Sequence, residues 1–214
     1  MVETTPPRYA ERQTQLATFL IDLSPSDMQR RLGDALAVYV DAMRYPRGTE
    51  AQRASMWLEH TRRPGWKAVA AVTIGDSEDA PAGEAELTSA PMVGIAYGYC
   101  GAPDQWWQQQ VVAGLQRVGT DRNSIAALMT SYFELTELHI HPRAQGQGLG
   151  EALARRLLSD RQESHVLLST PEINGEANRA WRLYRRLGFT DVIRGYHFAG
   201  DPRAFAILGR SLPL

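Results

Sequence analysis

Cysteine is nearly absent from this 214-residue chain, where Cys100 stands alone. A single thiol excludes an internal disulfide framework and a thiolate-rich metal site, and Cys100 reads as a small buried hydrophobe rather than a nucleophile. Lysine is equally scarce. Of the 23 basic residues only Lys67 is a lysine, so 22 are arginines. Arginine forks suit phosphate and carboxylate, although on surface helices they more often face solvent. An excess of charge is missing too: the formal net charge is −1, which gives no global pull toward nucleic acid or a membrane surface. Any phosphate must therefore be held locally. No apolar run reaches membrane-spanning length, and the opening MVETTPPRYAERQTQ lacks the basic start and apolar stretch of a signal peptide. The expected compartment is the cytoplasm.

What is present fits one packed core across 1–214, with residues 1–30 unassigned. Gln15–Leu23 is open between a first strand and the start of a helix. MQRRLGDALAVYVDAM and TEAQRASMWLEHTRR carry apolar residues at helical spacing, the second ending before Pro64-Gly65. WKAVAAVTIG and MVGIAYGYCG read as a strand hairpin across the acidic loop GDSEDAPAGEAELTSAP. A partly helical excursion with adjacent Trp106 and Trp107 follows, and its neighbourhood, 101–131, is read as an insertion. Then come the strand YFELTELHIHP, a glycine loop, a helix over Glu151–Arg161, the buried strand HVLLSTP, the helix GEANRAWRLYRRLG and two closing strands. This order predicts a mixed α/β sheet.

The loop HPRAQGQGLG places glycines at 146, 148 and 150, directly before a helix. Fixed glycines cost entropy, so three in five residues imply positive φ or close approach of a ligand. A strand-to-helix turn offers successive N–H groups and the positive end of a helix dipole, which suits phosphate. The Walker pattern is excluded because Gly150 is followed by Glu151 and Ala152. The dinucleotide fingerprint fits poorly, since one residue separates Gly148 from Gly150 where two are needed. His139 and His141 share one strand face, but no third metal ligand at useful spacing follows. No metal site is expected.

The remaining pattern, Gln145-Gly146-Gln147-Gly148-Leu149-Gly150, resembles the pyrophosphate loop of the GNAT acetyltransferase superfamily. The helix from Asn178 through Tyr184 to Gly188-Phe189 is similar to that family's last-helix signature, and Glu134–Ile140 resembles its central strand. The resemblance implies a mostly antiparallel, twisted sheet with helices on both faces. It implies acetyl-CoA as cosubstrate, held by the loop 145–150, by the backbone of Leu138, His139 and Ile140, and by Tyr184 and Asn178. Asn178 could equally stabilise the helix start, because it lies one residue closer to Tyr184 than the family pattern has it. Glu134 is the expected base that takes the amine's proton, with Glu137 as its competitor. Strict alternation puts these carboxylates on opposite faces, and a bulge would change that phase. Tyr184 is expected to protonate the leaving thiolate. The implied reaction is direct attack by an acceptor amine in a ternary complex. The acceptor could be a small amine or a peptide or protein amine, and the enzyme a monomer or homodimer; a non-catalytic acyl-CoA-binding module is the alternative.

Overall fold

A computed structural model describes residues 16–75, 83–173 and 178–214. The opening MVETTPPRYAERQTQ, part of the acidic loop and residues 175–177 of the GEANRAWRLYRRLG reading lie outside these residues.

The chain begins with β1 (Leu16–Leu23), which resolves the open reading of Gln15–Leu23 in favour of a strand. Ser24-Pro25-Ser26-Asp27 then starts α1 (Pro25–Arg30): the Asp27 N–H donates to Ser24 Oγ and the Ser24 N–H to Asp27 Oδ2, a reciprocal cap. The helical stretch read over 28–43 is broken at Arg31, so α2 spans Leu32–Met43. α3 covers Thr49–His60, and β2 (Lys67–Gly75) and β3 (Met92–Cys100) form the expected hairpin. Between them the acidic stretch contains a six-residue helix, α4 (Glu84–Ser89), where the sequence reading had only a loop. The excursion resolves into α5 (Trp106–Arg117) and α6 (Arg122–Thr130), the latter capped by Asp121. β4 (Tyr132–Ile140), α7 (Leu149–Leu158), β5 (His165–Pro171), α8 (Arg179–Arg186), β6 (Thr190–Tyr196) and β7 (Phe205–Ser211) complete the order. α7 starts and ends earlier than the expected Glu151–Arg161, so Gly150 belongs to the helix itself.

Seven strands form one sheet in the order β1-β2-β3-β4-β5-β7-β6. Every pairing is antiparallel except β4 with β5. α7 and α8 pack on one face, over Phe133, Leu135 and Val166. The other face carries two separate helical groups: α1 to α3 over Tyr97 and Tyr99, and α5 with α6 over Tyr132 and Leu167. The lone lysine is structural. Lys67 Nζ donates to the carbonyls of Arg156 and Ser159 at 2.8 and 3.0 Å, placing a cation where the α7 dipole is negative. Arg156 forks onto Asp22 and donates to the Leu20 carbonyl, which ties α7 to the edge strand β1.

Candidate functional site

Two features of β4 create the site. The first is a bulge. β3 and β4 pair Tyr99 with Glu134 and Tyr97 with Glu137, and the register shifts between Tyr97 and Gly98, which faces Leu135. One extra residue on β4 therefore puts Glu134 and Glu137 on the same face, that of Tyr97 and Tyr99. Gly98 makes this possible, because a Cβ there would stand 2.1 Å from the Glu134 carbonyl oxygen. The second feature is a divergence. β4 pairs with β5 only at Tyr132, Phe133 and Glu134. From Leu135 to Ile140 the strand runs on with no β5 partner, and on that edge the Ile140 carbonyl accepts from Gln145 Nε2.

Glu134 is buried, 4% exposed, at the point where the strands part. Its Oε1 accepts from the Tyr99 hydroxyl at 3.2 Å and from Thr136 Oγ1 at 3.4 Å, while Oε2 has no hydrogen-bond partner among the described residues. Burial pushes its carboxyl up to about 7, opposed by the Arg63 guanidinium and the two hydroxyl bonds. Arg63 sits over the Tyr99 ring, 4.5 Å from its centroid. Glu137 is bound differently: its Oε2 meets His139 Nε2 at 2.5 Å, and the His139 ring is edge-on to Tyr39. His141 faces Asp41 at 3.3 Å, so the two histidines serve separate carboxylates.

The glycine loop follows a single 3-10 turn, Pro142–Ala144. Gly146 and Gly148 have φ of 85° and 78°, and a Cβ at either would meet nothing within 4 Å. The N–H groups of Gly146, Gln147 and Gly148 have no acceptor among the described residues. Together with the α7 N-terminus they present donors of the kind that suits an anion. A Cβ at Gly150 would lie 3.1 Å from Leu183 Cδ2, where α7 meets α8. Leu149 opens the helix, partly buried against the core. Gln145 braces the loop, donating to the Ile140 carbonyl and accepting from Arg179.

On α8, Tyr184 is buried against Phe189, and burial followed by the Glu137 charge drives its hydroxyl upward. Asn178 caps the helix, accepting from the Ala180 N–H at 2.9 Å, which is the second of its two readings. The tryptophans divide: Trp107 is 8% exposed and donates to Ser169 Oγ, whereas Trp106 is 51% exposed and lies against Phe198. Cys100 is not wholly buried and donates to Glu163 Oε1 at 2.9 Å, with burial raising its thiol. Tyr99, Arg63 and His60 escaped the sequence reading. Tyr99 reaches Glu134 through strand register, and Arg63 and His60 lie against the Tyr99 ring from the end of α3; only the partner assignment of β3 would have signalled them.

His60 stands beside this carboxylate cluster, its Nδ1 3.0 Å from the Tyr97 hydroxyl and its ring edge-on to Tyr99. Burial, then the Arg63 charge, lowers its pKa to about 4. A buried base held below its ordinary value loses stability as pH falls from 6.5 to about 4. A buried acid held above its ordinary value loses stability as pH rises from 4.5 to about 7. These opposed slopes offset each other between pH 4.5 and 6.5. Glu134→Gln removes one of them, so its unfolding free energy, measured by urea denaturation, should climb by roughly 2 kcal/mol across that range relative to the parent, since the full slope of about 1.4 kcal/mol per pH unit is not reached at its ends. Identical pH profiles in the two proteins would contradict the placement of this pair.

Comparison with known proteins shows the family and the fold. A family model described as an acetyltransferase (GNAT) domain matches residues 103–191. A GCN5-like protein acetyltransferase of Mycobacterium tuberculosis is 75% identical over 206 residues, which cover 93% of this chain and 100% of that protein. Among solved structures, Arabidopsis thaliana NAA60 in complex with acetyl-CoA superposes with a TM-score of 0.54 at 17% identity, covering 92% of this chain and 99% of that one. The ribosomal-protein-S18-alanine N-acetyltransferase of Escherichia coli gives 0.53 at 17% identity, covering 92% and 96%. The glycine cradle, the parted strands and a 75% identical relative lead to one conclusion: this chain belongs to the GNAT acetyltransferases.

Proposed function

We propose that the protein transfers the acetyl group of acetyl-CoA to an amine carried on a polypeptide, by direct attack in a ternary complex. The observation that carries this reading is that one continuous segment, β4 through α7, holds both a buried carboxylate oxygen with no partner among the described residues and a glycine loop whose N–H groups have none. The 75% identical relative is named a protein acetyltransferase, which supports a polypeptide acceptor.

When bound, acetyl-CoA supplies the thioester carbonyl that the amine attacks. The loop 145–150 would hold its pyrophosphate, and the backbone of Leu138, His139 and Ile140 its pantetheine. Glu134 takes the proton of the amine. With Oε2 unpartnered and a pKa near neutrality, it reaches the acceptor directly or through one water. Glu137, on the same face and already engaged with His139, positions the acceptor. Tyr184, whose raised pKa keeps it protonated, can donate to the departing thiolate.

Acetyl-CoA should raise the melting temperature in a fluorimetric scan, because a ligand selective for the folded state stabilises it. ATP and NAD should do much less, and no shift at millimolar acetyl-CoA would overturn the cosubstrate. Tyr184→Phe keeps the ring and loses one proton donor. Its kcat should fall by roughly 10²-fold with acetyl-CoA affinity retained, as for loss of a general acid. Equal kcat in variant and parent would assign Tyr184 to packing.

A further inference from the structure

The two carboxylate oxygens of Glu134 are not equivalent. Oε1 accepts from two hydroxyls, Tyr99 at 3.2 Å and Thr136 at 3.4 Å, while Oε2 has no partner among the described residues. A carboxylate only 4% exposed has little water at hand to restore a lost bond, so these hydroxyls decide which oxygen is left to take a proton. Thr136 divides its hydroxyl between Oε1 and the Glu134 carbonyl, the latter at 3.3 Å. Tyr99 is the firmer of the two.

Tyr99 is itself fixed. Its buried ring is packed from two sides by residues at the end of α3: the Arg63 guanidinium lies 4.5 Å over its face, and the His60 ring meets it edge-on at 5.1 Å. The Arg63 N–H donates to the His60 carbonyl at 3.0 Å and the Trp66 N–H to the Arg63 carbonyl at 3.2 Å, which closes the chain there. The Arg63 guanidinium makes no hydrogen bond or ion pair among the described residues, so no carboxylate neutralises it and its charge favours the ionised form of Glu134. Few other charges face this carboxylate. Glu137, bonded to His139 on the same strand face, works against ionisation. Tyr97, Tyr99 and Tyr132 are driven upward by burial, His60 is lowered to about 4, and all four are neutral near pH 7. Gln108 of α5, which accepts from the Tyr132 hydroxyl, is uncharged.

We infer that Tyr99 and Arg63 are positioning residues for the base: Tyr99 holds Oε1 so that Oε2 takes the amine's proton, and Arg63 holds the Tyr99 ring and supplies the positive charge this carboxylate faces. This rests on the reading of Glu134 as the base. Neither residue touches the reacting atoms.

The test reads the carboxyl with and without turnover. In the full chain labelled at its glutamate carboxyl carbons for NMR, the Glu134 resonance is the one missing from Glu134→Gln. It should titrate near pH 7 in the parent and roughly one pH unit higher in Tyr99→Phe, which keeps the ring and loses the donor, because a hydrogen bond to a charged group carries about a factor of ten. Arg63→Met keeps an apolar stem over the ring and loses the charge, so it should shift the resonance upward by a smaller step; Arg63→Lys should restore it. With a peptide bearing a free α-amine and one lysine, the rising limb of kcat/KM should move in parallel, leaving Tyr99→Phe roughly tenfold slower below the limb and closer to the parent above it. An unmoved resonance in both variants would overturn the inference. So would a kcat/KM lowered by the same factor at every pH, which is what lost packing alone produces. If the parent acetylates neither amine of the peptide, the proposed acceptor class has failed, and the resonance decides: an upward shift in both variants sustains the roles of Tyr99 and Arg63, and no shift overturns them.

Discussion

Glu134→Gln should lower kcat/KM for the acceptor by roughly 10² to 10⁴-fold near neutral pH, the range typical of a lost general base. The substitution is nearly isosteric, and the amide oxygen can still accept from Tyr99, so β4 and its bulge should survive. What disappears is the carboxylate proposed to take the amine's proton. In the parent, kcat/KM should rise with pH through about 7 as this carboxyl ionises. In the variant the loss should be most severe below the acceptor's own pKa and be partly rescued above it, where the amine is already neutral in solution. Glu137→Gln separates the two carboxylates. If Glu137 positions the acceptor, that variant raises apparent KM and changes kcat less. Full activity at every pH in Glu134→Gln, with collapse in Glu137→Gln, would exchange their roles.

The second large effect is expected at Gly148→Val. The site has space for a side chain, since nothing lies within 4 Å of a Cβ there, so packing alone does not forbid valine. The backbone does, because φ is 78° and a β-branched residue strongly resists that conformation. Whether valine stays strained or the loop relaxes, its methyls or the shifted N–H groups spoil the anion cradle. Acetyl-CoA affinity should fall by roughly 10²-fold, about 2.7 kcal/mol, comparable to one or two hydrogen bonds to a charged group. Circular dichroism and calorimetric titration check this together. Native dichroism with unchanged acetyl-CoA affinity in Gly148→Val would remove the pyrophosphate from this loop.

The glycine loop, β4 and α8 were legible because their signals are local. Spacing alone separated 146–150 from the Walker and dinucleotide patterns, and two of its three glycines do take positive φ. The third, Gly150, lies inside α7, and its close approach to Leu183 is a pairwise property of α7 and α8 that the loop sequence does not contain. The shared face of Glu134 and Glu137 was equally out of reach. It depends on a bulge whose enabling residue, Gly98, lies on the neighbouring strand. Tyr99, Arg63 and His60 become part of the site for the same reason, through register and through where α3 stops. The six-residue α4 was missed because its stretch reads as acidic loop and buries no residue. Asn178 carried two readings, and its bond to the Ala180 N–H shows the cap.

The most direct measurement follows CoA release and acetylated product in one sample, with acetyl-CoA and the peptide bearing both an α-amine and a lysine. Free thiol is quantified against amide formed, by mass spectrometry, in the parent and in Glu134→Gln. The expected result is one thiol released per acetyl amide in the parent and a rate lower by at least about 10²-fold in the variant. Tight binding of acetyl-CoA without thiol release, for this peptide and for small amines and amino acids, would contradict catalysis and leave the protein an acyl-CoA-binding module.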